Sequence, residues 1–131
     1  MIIGIGSDII EISRLKKTLL QYKKRFLKRV FNNIENEYIC TNINPTATCA
    51  KRFAAKEALL KAIGTGKSKG ISWKNIQITN NKFGCPQILI KGILNKILNK
   101  KIDKHMKPYL YISLSDTEQY AQAFVIIEAR T

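Results

Sequence analysis

Six isoleucines crowd the first twelve residues (Ile2, Ile3, Ile5, Ile9, Ile10 and Ile12), and this β-branched run predicts a strand. Beyond it Leu15, Leu19, Tyr22 and Phe26 fall at i, i+4, i+7 and i+11. That spacing makes one apolar stripe of a helix, which Ser13 is placed to cap. A short helix is predicted over 33–42, and Asn44-Pro45-Thr46 breaks the chain with a new cap candidate. The most regular helix predicted runs from Thr46 to Ile63. It is rich in Ala, Leu and Lys, has no internal Gly or Pro, and is closed by Gly64-Thr65-Gly66. On it Cys49, Phe53, Leu60 and Ile63 form an apolar stripe, and Ala54, Glu57 and Lys61 a neighbouring one. Residues 73–79 and 86–91 read as strands joined by a turn, and 92–101 as a short basic helix. Tyr109–Ser115 and Ala121–Glu128 read as a hairpin across Asp116-Thr117-Glu118. The order β-α-α-α-β-β-α-β-β predicts an α+β domain with a mostly antiparallel sheet.

A chain of 131 residues predicts one domain over 1–131, burying roughly 65–70% of its unfolded surface. No apolar run reaches the roughly 18–20 residues of a membrane span. The start has no basic segment ahead of its apolar stretch, which argues against a signal peptide. Three cysteines (Cys40, Cys49 and Cys85) are an odd, widely spaced set without a CxxC pair. They argue against a disulfide framework or a zinc site and fit a reducing cytoplasm.

Charge changes the picture most: 23 basic residues against 9 acidic ones, net +14. Lys outnumbers Arg by 18 to 5, and Ile and Asn are abundant. AT-rich codons supply that same trio, so part of the basicity needs no function. Its distribution says more. From Arg14 to Arg29 there are eight basic residues and no acid, a surface that would attract nucleic acid, an acidic protein or a phosphorylated small molecule.

Two phosphate-loop lookalikes fail on spacing. Gly4-Ile5-Gly6 lacks a third glycine where Ile9 stands, and Gly66-Lys67-Ser68 has Lys61 where a P-loop needs glycine. His105 is the only histidine and sits in a Lys-rich segment, which reads as solvated surface. The scarce acids are more informative. Asp8 lies in an apolar strand, where a carboxylate is costly unless paired or bound to a cation. Glu57 lies four residues before Lys61. In the bland reading Asp8 ends the strand and Glu57–Lys61 is a routine helix pair. In the functional one, Asp8 and Glu57 hold Mg²⁺, which takes one or two carboxylates and fills its shell with water and phosphate oxygens. Lys61 would offset phosphate charge, and Gly64 and Gly66 would let backbone amides approach a phosphate. Such a set suits phosphoryl-type transfer.

Gly4-Ile5-Gly6-Ser7-Asp8-Ile9-Ile10-Glu11-Ile12 resembles the N-terminal signature of the bacterial holo-[acyl carrier protein] synthases. Arg52-Phe53-Ala54-Ala55-Lys56-Glu57-Ala58, followed by Lys61-Ala62 and Gly64-Thr65-Gly66, resembles their second signature. Phe83-Gly84-Cys85-Pro86, Ser113-Leu114-Ser115-Asp116 and Tyr120-Ala121-Gln122-Ala123 extend the match over nearly the whole chain. The resemblance implies a 4′-phosphopantetheinyl transferase-like α+β fold with one long helix packed on the sheet. It implies transfer of 4′-phosphopantetheine from coenzyme A to a serine of apo-acyl carrier protein, in support of fatty acid biosynthesis. Asp8 and Glu57 match the magnesium ligands, with Glu57 and Lys61 catalytic. Arg52, Lys61, Gly64, Thr65 and Gly66 fall to substrate binding. Arg14 matches a carrier contact, with Lys17 and Arg25 of the same basic helix beside it. The family is a homotrimer with active sites between subunits, which would allow Asp8 and Glu57 of one site to come from neighbouring chains. Asp116 stands where many members carry histidine, and it receives no role. The rival reading, a small basic nucleic-acid-binding domain, explains the charge but not Asp8 and Glu57.

Overall fold

The computed structural model describes residues 1–68 and 70–131. Strand β1 (Ile2–Glu11) leads directly into helix α1 (Ile12–Val30), followed by α2 (Asn33–Cys40) and the long helix α3 (Pro45–Ile63). A 3-10 turn, Trp73–Asn75, precedes β2 (Ile76–Asn80), β3 (Pro86–Ile90) and helix α4 (Gly92–Lys100). The chain ends with the hairpin of β4 (Lys107–Asp116) and β5 (Tyr120–Arg130). Among the described residues every strand pairing is antiparallel, with β1-β5-β4 in one sheet and β2-β3 in a separate ribbon. This is the expected α+β arrangement of antiparallel strands and one long helix.

Helix α3 starts at Pro45, one residue before the expected Thr46, because Asn44 caps it through the Ala47 amide and proline tolerates the first helical position. Gly64 ends it in the left-handed conformation, φ 89°, which glycine adopts without a Cβ penalty. The expectation of two stripes is too narrow. Ala50, Ala54, Ala55, Ala58 and Leu59 are fully buried too, since β1 and β5 cover one side of the helix while α1 and α2 cover another. Burying Leu59 alone is worth about 1.5–3 kcal/mol.

Alanines on α3 meet glycines on β1. A Cβ added to Gly4 would fall 1.8 Å from the Ala62 carbonyl oxygen, and one added to Gly6 would fall 1.8 Å from that of Ala58. Residues two apart share a strand face, and residues four apart share a helix face. The Gly4-Ile5-Gly6 spacing therefore lays strand backbone directly on helix backbone.

Three local expectations change. Ser13 does not cap α1; its hydroxyl donates to Glu11 Oε1 at 3.1 Å, and Glu11 takes the cap position without a side-chain cap bond. Tyr22 (φ −132°, ψ 28°) interrupts α1, so Leu15, Leu19 and Phe26 pack inward without it. Residues 73–75 leave the expected strand because Ser72 and Asn75 bond reciprocally and tighten the chain into a 3-10 turn.

One buried ion pair ties the helical half together. Lys56 Nζ donates to Glu35 Oε1 at 2.9 Å, to the Val30 carbonyl at 2.7 Å and to the Trp73 carbonyl at 3.2 Å. Glu35 Oε2 accepts the Ile78 amide at 3.1 Å. Burial pulls the Lys56 pKa down, and the Glu35 carboxylate opposes that pull. Removing one partner of such a pair costs about 3–5 kcal/mol. Ile10 and Trp73 pack against both apolar clusters and join them into one core.

Replacing Gly6 by Ala forces β1 off α3 and is expected to lower unfolding free energy by about 3 kcal/mol, the upper end of the usual overpacking cost. Urea titration followed by circular dichroism checks this, and an unchanged midpoint would refute the backbone contact.

Candidate functional site

The contact of β1 with α3 sets the site. Asp8 lies inside β1, opposite Ala123 of β5, and does not end the strand. Two residues beyond Gly6, it points to the same side of the strand, where Glu57 and Lys61 rise from α3. Lys61 Nζ donates to Asp8 Oδ1 at 3.0 Å and to the Ser7 carbonyl at 3.0 Å. The expected i, i+4 pair with Glu57 is therefore replaced by a clasp between helix and strand. The Asp8 side chain is 12% exposed, whereas that of Lys61 is 57% exposed, so the pair sits at the mouth of the site.

Among the described residues Asp8 Oδ2 is buried without a hydrogen-bond partner. The neighbouring carboxyl is that of Glu57, whose pKa is pushed up to about 7 by burial first, then by Asp8, against the pull of Lys61. Two ionised carboxylates cannot donate to one another, so such a pair requires a shared proton or a cation. An orphaned carboxylate oxygen beside a second carboxylate fits a hard divalent ion. Among the described residues no third His, Cys, Asp or Glu joins them. A cation here would complete its shell with water and phosphate oxygens. Asp8 and Glu57 of the same chain adjoin, so the expectation that they come from neighbouring chains does not hold.

The other sequence candidates are placed differently. The amides of Gly64 and Thr65 both reach the Leu60 carbonyl, at 2.9 and 3.3 Å, so they close α3 and are not free for a phosphate. Gly66 has a positive φ of 59°, and a Cβ there would meet nothing within 4 Å. Arg52 turns away from Asp8 and Glu57. Its Nη2 donates to Asn80 Oδ1 at 2.6 Å, and its guanidinium lies over the Tyr38 ring at 4.4 Å. There it lines a cavity of about 400 Å³ together with Lys51, Gly84, Cys85 and Ser113. Asp116, which received no role, pairs with Lys51 at 3.0 Å. Arg14, Lys17 and Arg25 are exposed on α1, but the break at Tyr22 separates Arg25 from the other two. His105 is exposed and the three cysteines are free.

The sequence model of the 4'-phosphopantetheinyl transferase superfamily matches residues 4–125. The chain belongs to this superfamily. It is 43% identical over 131 residues to the holo-[acyl-carrier-protein] synthase of Maricaulis maris (strain MCS10), covering 99% of this chain and 92% of that one. Its structure resembles that of holo-[acyl-carrier-protein] synthase from Neisseria meningitidis with TM-score 0.85 and 34% identity, over 98% and 99% of the two chains. It also resembles the holo-(acyl-carrier-protein) synthase of Bacillus anthracis str. Ames, solved in complex with CoA (3',5'-ADP), with TM-score 0.77 and 31% identity over 97% and 96%. The fold is that of the superfamily. Among the described residues no helix is long and apolar enough to cross a membrane.

Several contacts around the sites join residues distant in sequence: Lys56 with Glu35, Lys51 with Asp116, and the Tyr38–Asn80 pair that holds Arg52. Lys56 sits beside Glu57 in a helix that also carries Lys51, Arg52 and Lys61, so its burial has no signature in the local sequence.

The Glu57 shift has a signed consequence. A carboxyl raised from 4.5 to about 7 on folding stabilises the protein fully below the lower value and loses that contribution as pH rises through the upper one. In the presence of chelator, wild type is expected to lose stability relative to Glu57→Gln between about pH 5 and about pH 8. Melting temperatures of both across that range check the sign; parallel curves would refute the carboxylate contact.

Proposed function

We propose that the chain transfers the 4′-phosphopantetheine arm of coenzyme A to a serine hydroxyl of apo-acyl carrier protein. The products are holo-carrier, which serves fatty acid biosynthesis, and adenosine 3′,5′-bisphosphate. The observation that carries this reading is the convergence of Asp8, Glu57 and Lys61 in a chain of this superfamily.

Asp8 and Glu57 would hold Mg²⁺, and a bound ion would supply Lewis-acid polarisation of the pyrophosphate. Lys61, exposed at the mouth and held by Asp8 and Ser7, offsets charge that grows on the phosphate oxygens. The carrier serine attacks the β-phosphate in line. Its new P–O bond replaces the bond to the leaving bisphosphate, and its proton passes to Glu57. Arg52 with Lys51 supports binding of the nucleotide's anionic end, since both cations line the second cavity. Gly66 offers the open backbone of the Gly64–Gly66 turn to the same substrate. Arg14 and Lys17, with Arg25 beyond the break, face the acidic carrier, where complementary charge speeds encounter.

The chain works as one transferase domain over 1–131, a reading supported by the core shared through Ile10 and Trp73. It assembles as a homotrimer with active sites at subunit boundaries. Supporting this, the outer face of the β1-β5-β4 sheet exposes Ile5, Ile9, Tyr111 and Phe124 together, and a contiguous apolar patch of this kind marks an interaction surface. Its three unpaired thiols are in keeping with a reducing cytoplasm.

Intact-mass spectrometry of a bacterial apo-acyl carrier protein, incubated with the chain, coenzyme A and Mg²⁺, tests the reaction. One added phosphopantetheine is expected, lost with EDTA and in Asp8→Ala and Glu57→Ala, while native spectra show three chains. Arg14→Glu should weaken carrier binding and leave coenzyme A affinity unchanged. Unaltered transfer in either carboxylate variant would overturn the metal assignment, and a monomer that transfers normally would overturn the trimer.

A further inference from the structure

Helices α1 and α2 and the first turn of α3 enclose a cavity of about 250 Å³ that shares no lining residue with the Asp8–Glu57 site or the Arg52 cavity. Its wall is apolar, formed chiefly by Leu19, Leu27, Ile39 and Cys49, and its rim carries Lys16 and Lys23. These two lysines reach the same rim from either side of the break at Tyr22. Both are exposed, and no Asp or Glu lines the cavity to neutralise them. Arg25, by contrast, lines a different groove with Thr18, Tyr22, Phe26 and Arg29. Arg14, Lys17 and Arg25, assigned to carrier docking, are not among the residues that line this cavity.

An apolar slot bordered by two ammonium groups without an internal counter-ion complements a molecule with one hydrocarbon chain and one anionic end. Neutral apolar ligands would leave the lysines without a partner, and polar anions would leave the wall without one. A cavity of 150 Å³ accommodates a benzene ring, so about 250 Å³ has room for a chain of roughly eight to ten carbons. We propose that this cavity binds a medium-chain fatty carboxylate, its chain against Leu19, Leu27, Ile39 and Cys49 and its head group between Lys16 and Lys23. The site is separate from the transfer site, and its occupancy does not depend on the reaction assigned above.

Cys40 gives the cavity a built-in reporter. It lines the cavity and is exposed, while Cys85 is exposed at the Arg52 cavity. Cys49 stays silent in alkylation because burial, with a smaller push from Cys40, raises its thiol to about 12. Decanoate, kept below its micelle concentration, is titrated into the intact chain by calorimetry, with decanol and decyltrimethylammonium alongside. Alkylation of Cys40 and Cys85 is followed by mass spectrometry. Saturable binding of decanoate is expected, with both control amphiphiles weaker and Cys40 protected while Cys85 is not. The double variant Lys16→Glu/Lys23→Glu should bind about tenfold more weakly. Lys96→Glu/Lys100→Glu on α4, which changes the net charge equally, should bind as wild type does. The proposal fails if decanoate does not bind, if the cationic amphiphile binds equally well, if both charge variants weaken alike, or if both cysteines are protected equally.

Discussion

The contact on which the rest of this structure depends is the one between two backbones, β1 lying on α3 at Gly4 and Gly6. Any side chain at either position would collide with the carbonyl oxygen of Ala62 or Ala58. Because those carbonyls lie one turn apart and the glycines two residues apart, the contact also fixes how far the strand slides along the helix. Asp8 then has one place to go, beside Glu57 and under Lys61. The glycines act on the chemistry without touching a substrate: they bring Asp8 close enough to add to burial in raising the Glu57 pKa. A strand held farther off by an alanine would leave a solvated Asp8 and an ordinary Glu57.

A second constraint holds the opposite side of α3. Lys56 precedes Glu57 in sequence but points into the helical half, where Val30, Glu35 and Trp73 surround its ammonium. One turn of α3 therefore carries a buried cation toward the basic helix and a carboxylate toward the sheet. The two halves of the domain meet on this turn, and the helix cannot rotate without breaking either the ion pair or the site. Such buried pairs give little net stability against a well-packed apolar alternative but strongly penalise a misplaced partner.

Much of this was legible in the chain. The run of β-branched residues announces β1, and the Ala- and Leu-rich stretch without Gly or Pro announces α3. The scarcity of acids draws attention to Asp8 and Glu57. What escaped depended on distance in sequence. The Lys56–Glu35 pair spans 21 residues and the Lys61–Asp8 pair 53, and no local period encodes either. Local sequence offers Lys61 only an i, i+4 partner in Glu57, so its bond to Asp8 has no signature there. Arg52 shares one motif with Lys61, yet five positions of helix separate it from Glu57 and turn it to another cavity. The 3-10 turn at Trp73 arises from the reciprocal Ser72–Asn75 cap, to which propensity is blind.

The +14 charge is consistent with an acidic partner but does not itself specify one; the carboxylate pair does more to define the chemistry. Calorimetry of coenzyme A binding to wild type and to Asp8→Asn, each with and without Mg²⁺, bears most directly on it. If β1 and α3 together build a divalent-cation site for a pyrophosphate, Mg²⁺ tightens binding in wild type and has no effect in Asp8→Asn. Equal affinities in all four titrations, or an undiminished Mg²⁺ effect in Asp8→Asn, would contradict it.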